Sequence, residues 1–147
     1  MLINKKPIHP ILYSLRNCPF AMRARLAIFK SRLPFELRDI VLSNKPKAML
    51  NASPKGTVPV LVLKNGDELI RVIDESFDIM LWALQTSDPD NLLSQTPKPS
   101  EEKLHNMCSF ITTFDNEFKT CLEQYKCAKR YHEDNLLEYR QACEVYI

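Results

Sequence analysis

The chain has 147 residues, 45% of them hydrophobic and 26% charged, enough for one compact core or for a small domain plus part of a second, and too apolar for intrinsic disorder. A net charge of +2 and the lack of any Lys/Arg run interleaved with aromatics give no ground for a nucleic-acid partner. The longest apolar run, residues 79–84, is far short of the roughly 20 residues that span a bilayer, and no cleavage site follows Lys5 and Lys6, so a cytosolic protein with no membrane partner is expected.

Charge is polarised along the chain. Residues 1–56 carry eleven Lys/Arg against two acidic residues, and residues 57–147 carry nine against sixteen. This fits either attraction of a small anionic ligand to the basic half or ordinary solvated surface.

Residues 8–14 are apolar and β-rich and read as a strand; Leu15, Arg16 and Asn17 form a loop, and 19–31 have a helical pattern. Residues 35–42 read as a second strand, 47–51 as a short helix, and Ser53-Pro54-Lys55-Gly56 as a turn. Residues 58–63 and 69–72 flank Asn65-Gly66, a pair that tolerates positive φ and so signals an antiparallel hairpin. A helix over 75–85 follows, with Ile79, Met80, Ala83 and Leu84 on its apolar face.

Residues 86–100, rich in Pro, Ser, Asp and Asn, read as a connector between a domain at 1–85 and a helical region at 101–147. In that region Leu104, Met107, Cys108, Ile111, Phe114, Phe118, Leu122 and Tyr125 recur at three- and four-residue steps, predicting one long amphipathic helix over 101–129. A last short helix starts near Asp134, whose side chain suits a cap.

Five cysteines, Cys18, Cys108, Cys121, Cys127 and Cys143, include no Cys-x-x-Cys and no zinc-ligand set, so reduced thiols and no metal are expected. Four lie in the helical region, where a thiol packs as a small apolar group. Cys18 instead stands where a strand hands over to a helix, with Pro19 suited to the first helical position. Unpaired N–H groups at such an end favour a thiolate, and cysteines so placed commonly titrate at about 3.5–7.5 instead of about 8.5. Arg16, Arg23 and Arg25 are close enough in sequence to assist. Because the position three beyond Cys18 is Ala21, a mixed disulfide there has no internal resolving thiol.

Two further signals accompany Cys18. Pro59, inside an apparent strand, implies either a cis peptide that leaves the Val58 backbone free to pair with an extended peptide or an edge-strand position after a turn. Asp74-Glu75-Ser76 opens a helix, where Glu75 is placed to pair with a ligand ammonium and Ser76 to donate to its carboxylate; an ordinary N-cap box is the other reading.

In order, Asn17-Cys18-Pro19-Phe20, Lys45-Pro46, Ser53-Pro54-Lys55-Gly56-Thr57-Val58-Pro59-Val60-Leu61 and Asp74-Glu75-Ser76 resemble the N-terminal domain of glutathione S-transferases, most closely the cysteine-using, omega-like members. The resemblance is strong over residues 8–85 and looser beyond. It implies an α/β fold, a thioredoxin-like domain (βαβ-α-ββα), followed by a truncated all-α domain, and glutathione as co-substrate.

By the same resemblance, Cys18 matches the catalytic cysteine. Lys45 matches the partner of the glycine carboxylate, Val58 the residue before a cis-Pro59 that pairs with the cysteinyl backbone, and Glu75 and Ser76 the γ-glutamyl pair. Phe20 and Thr57 complete the expected glutathione site. The implied activity is thiol-disulfide exchange on a mixed disulfide or conjugation to a small-molecule electrophile. A hydroxyl mechanism through Tyr13 or Ser14 ranks below it, and a non-catalytic protein-interaction module is the rival. The long helix presents more apolar stripe than the residues after Asp134 can cover, so a homodimer is expected.

Overall fold

The computed structural model describes residues 9–65, 68–93 and 101–147, and the chain divides into two compact units, Met1–Ser94 and Gln95–Ile147. The first is a thioredoxin-like mixed sheet with helices on both faces. Its strands are β1 (Ile11–Ser14), β2 (Glu36–Asp39), β3 (Val60–Asn65) and β4 (Glu68–Ile73); its helices are α1 (Pro19–Lys30), α2 (Lys47–Ala52) and α3 (Ser76–Thr86). The sheet order is β2-β1-β3-β4. β1 pairs with β2 in parallel and with β3 antiparallel, and β3 pairs antiparallel with β4.

The register explains the two cores. Leu12 stands opposite Leu61, which stands opposite Ile73, so these three share one face and pack with Ala24, Ala27 and Ile28 of α1 and Ile79 and Ala83 of α3. Their neighbours Ile11, Tyr13, Val60 and Val62 point to the opposite face, as alternation along a strand requires, and pack with Ile40, just after β2, and with Met49 of α2. β1 is buried along its whole length, whereas β2, at the sheet's edge, is exposed throughout. Burial of a side chain such as Leu61, with no exposed surface, contributes about 1.5–3 kcal/mol.

Several boundaries differ from the sequence expectation. β2 stops at Asp39 instead of running to residue 42, because its partner β1 ends at Ser14, opposite Asp39; Val41 and Asn44 then close a short bridge of their own. β3 begins at Val60, so Pro59 lies just outside the ladder and its missing N–H costs no strand hydrogen bond. The hairpin pairing is present, while the turn residue Gly66 is outside the described residues.

The second unit is helical: α4 (Glu101–Thr113), a π-helical turn (Phe114–Phe118), α5 (Lys119–Tyr131) and α6 (Leu136–Glu144). The π turn interrupts what the periodicity predicts as one uniform helix, its extra residue re-phasing the apolar stripe. The rings of Phe110, Phe114 and Phe118 pack tilted by 42° and 48° at centroid distances of 4.7 and 5.2 Å. Tyr146, just past α6, meets Phe114 edge-on at 6.5 Å and Phe118 at 6.0 Å, so the chain after α5 folds back along the stripe. The expected Asp134 cap is not made: α6 starts at Leu136 with Asn135 at its N-cap and no side-chain cap bond. His132, in the left-handed region at φ 56, ends α5 instead. Among the described residues no helix is long and apolar enough to cross a membrane.

Candidate active site

Cys18 occupies the N-cap of α1 with extended backbone, φ −82 and ψ 119, and Pro19 follows in the first turn. Its carbonyl accepts the first helical bond, from Met22 N at 2.9 Å, and its own N–H donates to Leu15 O at 3.2 Å. The first-turn N–H groups of a helix have no carbonyl behind them, so the thiol is held beside the positive end of α1. The Cys18 side chain is half-buried, and its Sγ stands 3.9 Å from the Val58 carbonyl, 40 residues away.

The loop before Cys18 is held by Arg25. Its guanidinium donates to Ser14 Oγ, to Leu15 O at 3.1 Å and to Arg16 O at 3.0 Å, which places Arg25 behind the loop as its brace. Arg23, two residues before Arg25 and so on another side of the helix, points elsewhere: Nη2 donates to Ser76 Oγ at 2.7 Å, and the guanidinium carbon stands 5.4 Å from the Phe20 ring centroid. The hydroxyls considered as alternatives to the thiol are both engaged. Ser14 is buried against Arg25, and Tyr13, 3% exposed, accepts from Arg38 at 3.2 Å.

The second wall is the segment that leads into β3. The Val58–Pro59 peptide is cis, and among the described residues Val58 lies outside the paired register of β3. Thr57 is exposed and Pro59 buried. Gly56, buried, is at φ +63, and a β-carbon there would lie 3.5 Å from Lys45 Nζ and 3.4 Å from Leu50 Cδ2. The ammonium of Lys45 thus lies against the turn that presents Val58.

The third wall is the start of α3. Glu75 is its N-cap residue, yet it makes no side-chain cap bond; its carboxylate is turned to Lys55, which also stands 3.9 Å from Asp74. Asp74 in turn accepts from Ser53 Oγ at 2.7 Å. Hydrogen bonding to Glu75 holds the Lys55 ammonium above the usual lysine pKa. The N-cap box considered from sequence is therefore absent, and the carboxylates instead tie α3 to the 53–56 turn. Ser76, 5% exposed, accepts the Arg23 bond.

Contacts thus link the expected residues in pairs: Cys18 with Val58, Lys45 with the Gly56 turn, and Ser76 with Arg23. Sequence reasoning missed the partners of two of these groups. The sequence marks Lys55 only as a turn residue, and its partners Asp74 and Glu75 lie 19 and 20 residues further along the chain. Arg23 was read as an aid to the thiol, and nothing local in the sequence reveals a bond across 53 residues. No group of three or more His, Cys, Asp or Glu side chains among the described residues could hold a metal, and all five cysteines are free thiols.

Residues 12–92 match the family model described as "Glutathione S-transferase, N-terminal domain", more than half of the chain. The rice (Oryza sativa subsp. japonica) protein named "Probable glutathione S-transferase DHAR2, chloroplastic" is 34% identical over 97 residues, 66% of this chain and 34% of its own length. Glutathione S-transferase omega-1 of Sus scrofa is 38% identical over 55 residues, 37% of this chain and 23% of its own. The chain therefore spans about a third or less of the curated relatives it matches. Among solved structures, glutathione transferase Omega 3C of Trametes versicolor superposes with a TM-score of 0.77 at 15% identity, covering 96% of this chain and 60% of its own. A glutathione transferase family member from Pseudomonas fluorescens pf-5, solved with two glutathione bound, gives 0.70 at 19% identity, covering 97% and 64%. At such identities the superpositions show the shared fold alone.

Proposed function

The chain belongs to the glutathione S-transferase family, with omega-like, cysteine-type relatives, and on that premise we propose that it performs glutathione-dependent thiol exchange through Cys18. The observation that carries the proposal is the placement of Cys18 at the N-cap of α1 with its Sγ facing the Val58 carbonyl. The Cys18 thiolate attacks the glutathionyl sulfur of a mixed disulfide; the S–S bond breaks and the other thiol leaves with the electron pair. A glutathione thiolate then attacks the Cys18-bound glutathionyl sulfur, releasing glutathione disulfide and restoring the Cys18 thiolate. An external thiol is needed for the second step because position 21 is alanine. Conjugation of glutathione to a small electrophile is the secondary activity of the same site.

Lys45 pairs with the glycine carboxylate of glutathione, the Val58 backbone with its cysteinyl unit, Glu75 with its ammonium and Ser76 with its γ-glutamyl carboxylate. Phe20, Thr57 and Pro59 wall the groove. Glu75 exchanges Lys55 for the ligand's ammonium, a replacement of one cation by another at an exposed carboxylate. The chain works in a reducing compartment such as the cytosol, consistent with five free thiols, and associates as a homodimer through the stripe of Phe114, Phe118, Leu122 and Tyr125, which stays half-exposed.

Retention on immobilised glutathione together with glutathionyl transfer from a mixed disulfide tests the reading. Cys18→Ala is expected to abolish transfer while retention persists. A folded chain that is neither retained nor active would leave the non-catalytic interaction module as the better account.

A further inference from the structure

We infer that Arg23 is a positioning residue for this site, fixing the Ser76 hydroxyl as a donor to the γ-glutamyl carboxylate of the ligand; the inference rests on the glutathione reading above. A serine hydroxyl owns one proton and two lone pairs, whereas a guanidinium owns donors only. Since Arg23 Nη2 donates to Ser76 Oγ at 2.7 Å, the Ser76 proton cannot be spent on Arg23 and is turned to another acceptor. Ser76 opens α3, where the first-turn N–H groups are also donors without helical acceptors. Hydroxyl proton and N–H groups then present donors at one helix end, an arrangement that suits a carboxylate.

Two features hold Arg23 to this task. Its guanidinium lies over the Phe20 ring at 5.4 Å, a cation–π contact that restrains the fork. Phe20 and Arg23 are both on α1, so the helix whose N-cap is Cys18 also sets the proton of Ser76 on α3. Thiol and carboxylate subsites are thereby placed by one rigid element, and a shift of α1 alters both together. A charged hydrogen bond to a buried hydroxyl is also the stronger kind, which keeps the donor oriented before the ligand arrives.

The test is calorimetric titration of glutathione, and of 4-aminobutanoyl-Cys-Gly, which lacks only the γ-glutamyl α-carboxylate, into the parent chain, Arg23→Met, Ser76→Ala and the double variant. Arg23→Gln, which is too short to reach Ser76, is measured beside Arg23→Met in case the latter fails to fold, as judged by circular dichroism. Arg23→Met and Ser76→Ala are each expected to weaken glutathione roughly tenfold, the double variant no more than the worse single, and the shortened peptide is expected to bind all folded variants equally. Losses that multiply in the double variant, an equal loss for the shortened peptide, or no loss at all would each overturn the role of Arg23. A parent chain that binds no glutathione would overturn the reading of the site itself and this inference with it.

Discussion

Gly56→Ala adds a methyl group to a backbone standing at φ +63. In the left-handed region a β-carbon crowds the next carbonyl, at a cost of about 1–2 kcal/mol. The methyl itself would meet Leu50 Cδ2 at 3.4 Å and Lys45 Nζ at 3.5 Å, ordinary van der Waals separations, so packing contributes little. Against the strain, alanine narrows the unfolded ensemble and returns about 0.4–1 kcal/mol. The net expectation is a loss of up to about 1.6 kcal/mol, read from the urea midpoint at constant slope. Because the strain falls in the turn that leads to Val58 and lies against Lys45, glutathione affinity should fall alongside stability. An alanine variant more stable than the parent would refute the claim that this turn requires positive φ.

Brief iodoacetamide treatment at neutral pH with mass-spectrometric mapping should label Cys18 first and Cys143 last. Cys18 sits at a helix N-terminus, whereas burial pushes the Cys143 thiol above the usual cysteine pKa; labelling of Cys127 before Cys18 would show that exposure outweighs the helix end. Lys45→Ala and Glu75→Ala should each weaken glutathione binding by about 10- to 150-fold, the range for hydrogen bonds to charged groups, and unchanged affinity in both would remove them from the site. Asp90 accepts from Lys30 at 3.0 Å and Arg32 at 3.3 Å, and the Lys30 hydrogen bond, with smaller help from Arg32, holds its carboxyl below the usual aspartate pKa. Its stabilisation is therefore present above the unfolded-state pKa and lost as pH falls through the folded one, so Asp90→Asn should lower stability by a similar amount at neutral and alkaline pH and converge on the parent at acid pH, as read from urea midpoints across the pH range. Light scattering on dilute protein should show a dimer; a well-behaved monomer would mean that the α6 region covers the aromatic stripe unaided.

The local character of a segment was legible in the sequence wherever it depends on chain-neighbour chemistry. Cys18-Pro19 after an apolar run predicts a helix start at Pro19 because proline needs no N–H donor there, and α1 begins at that residue. Residues 58–63 and 69–72 around the Asn65-Gly66 pair predict the hairpin, and the strands pair antiparallel, shifted to Val60–Asn65 and Glu68–Ile73. The apolar face of α3 is readable from its spacing: Ile79, Ala83 and Leu84 are buried and Met80 is partly so.

Tertiary structure alone decided what depends on groups far apart in the chain. The sheet order places β1 between β2 and β3, so a four-residue strand is buried on both faces, which no local pattern of Ile11 to Ser14 encodes. The end of β2 at Asp39 and the position of Pro59 outside the ladder follow from which strand lies alongside, not from propensity. The π turn in the long helix left no trace in a pattern that three- and four-residue steps fit equally well. Most plainly, the partners of the charged side chains were undecided: Arg23 and Arg25 sit two residues apart, about 200° around a helix, so one reaches Ser76 and the other the loop before Cys18. A cation's sequence position says that it must find an acceptor, and only the folded chain says which acceptor is within reach.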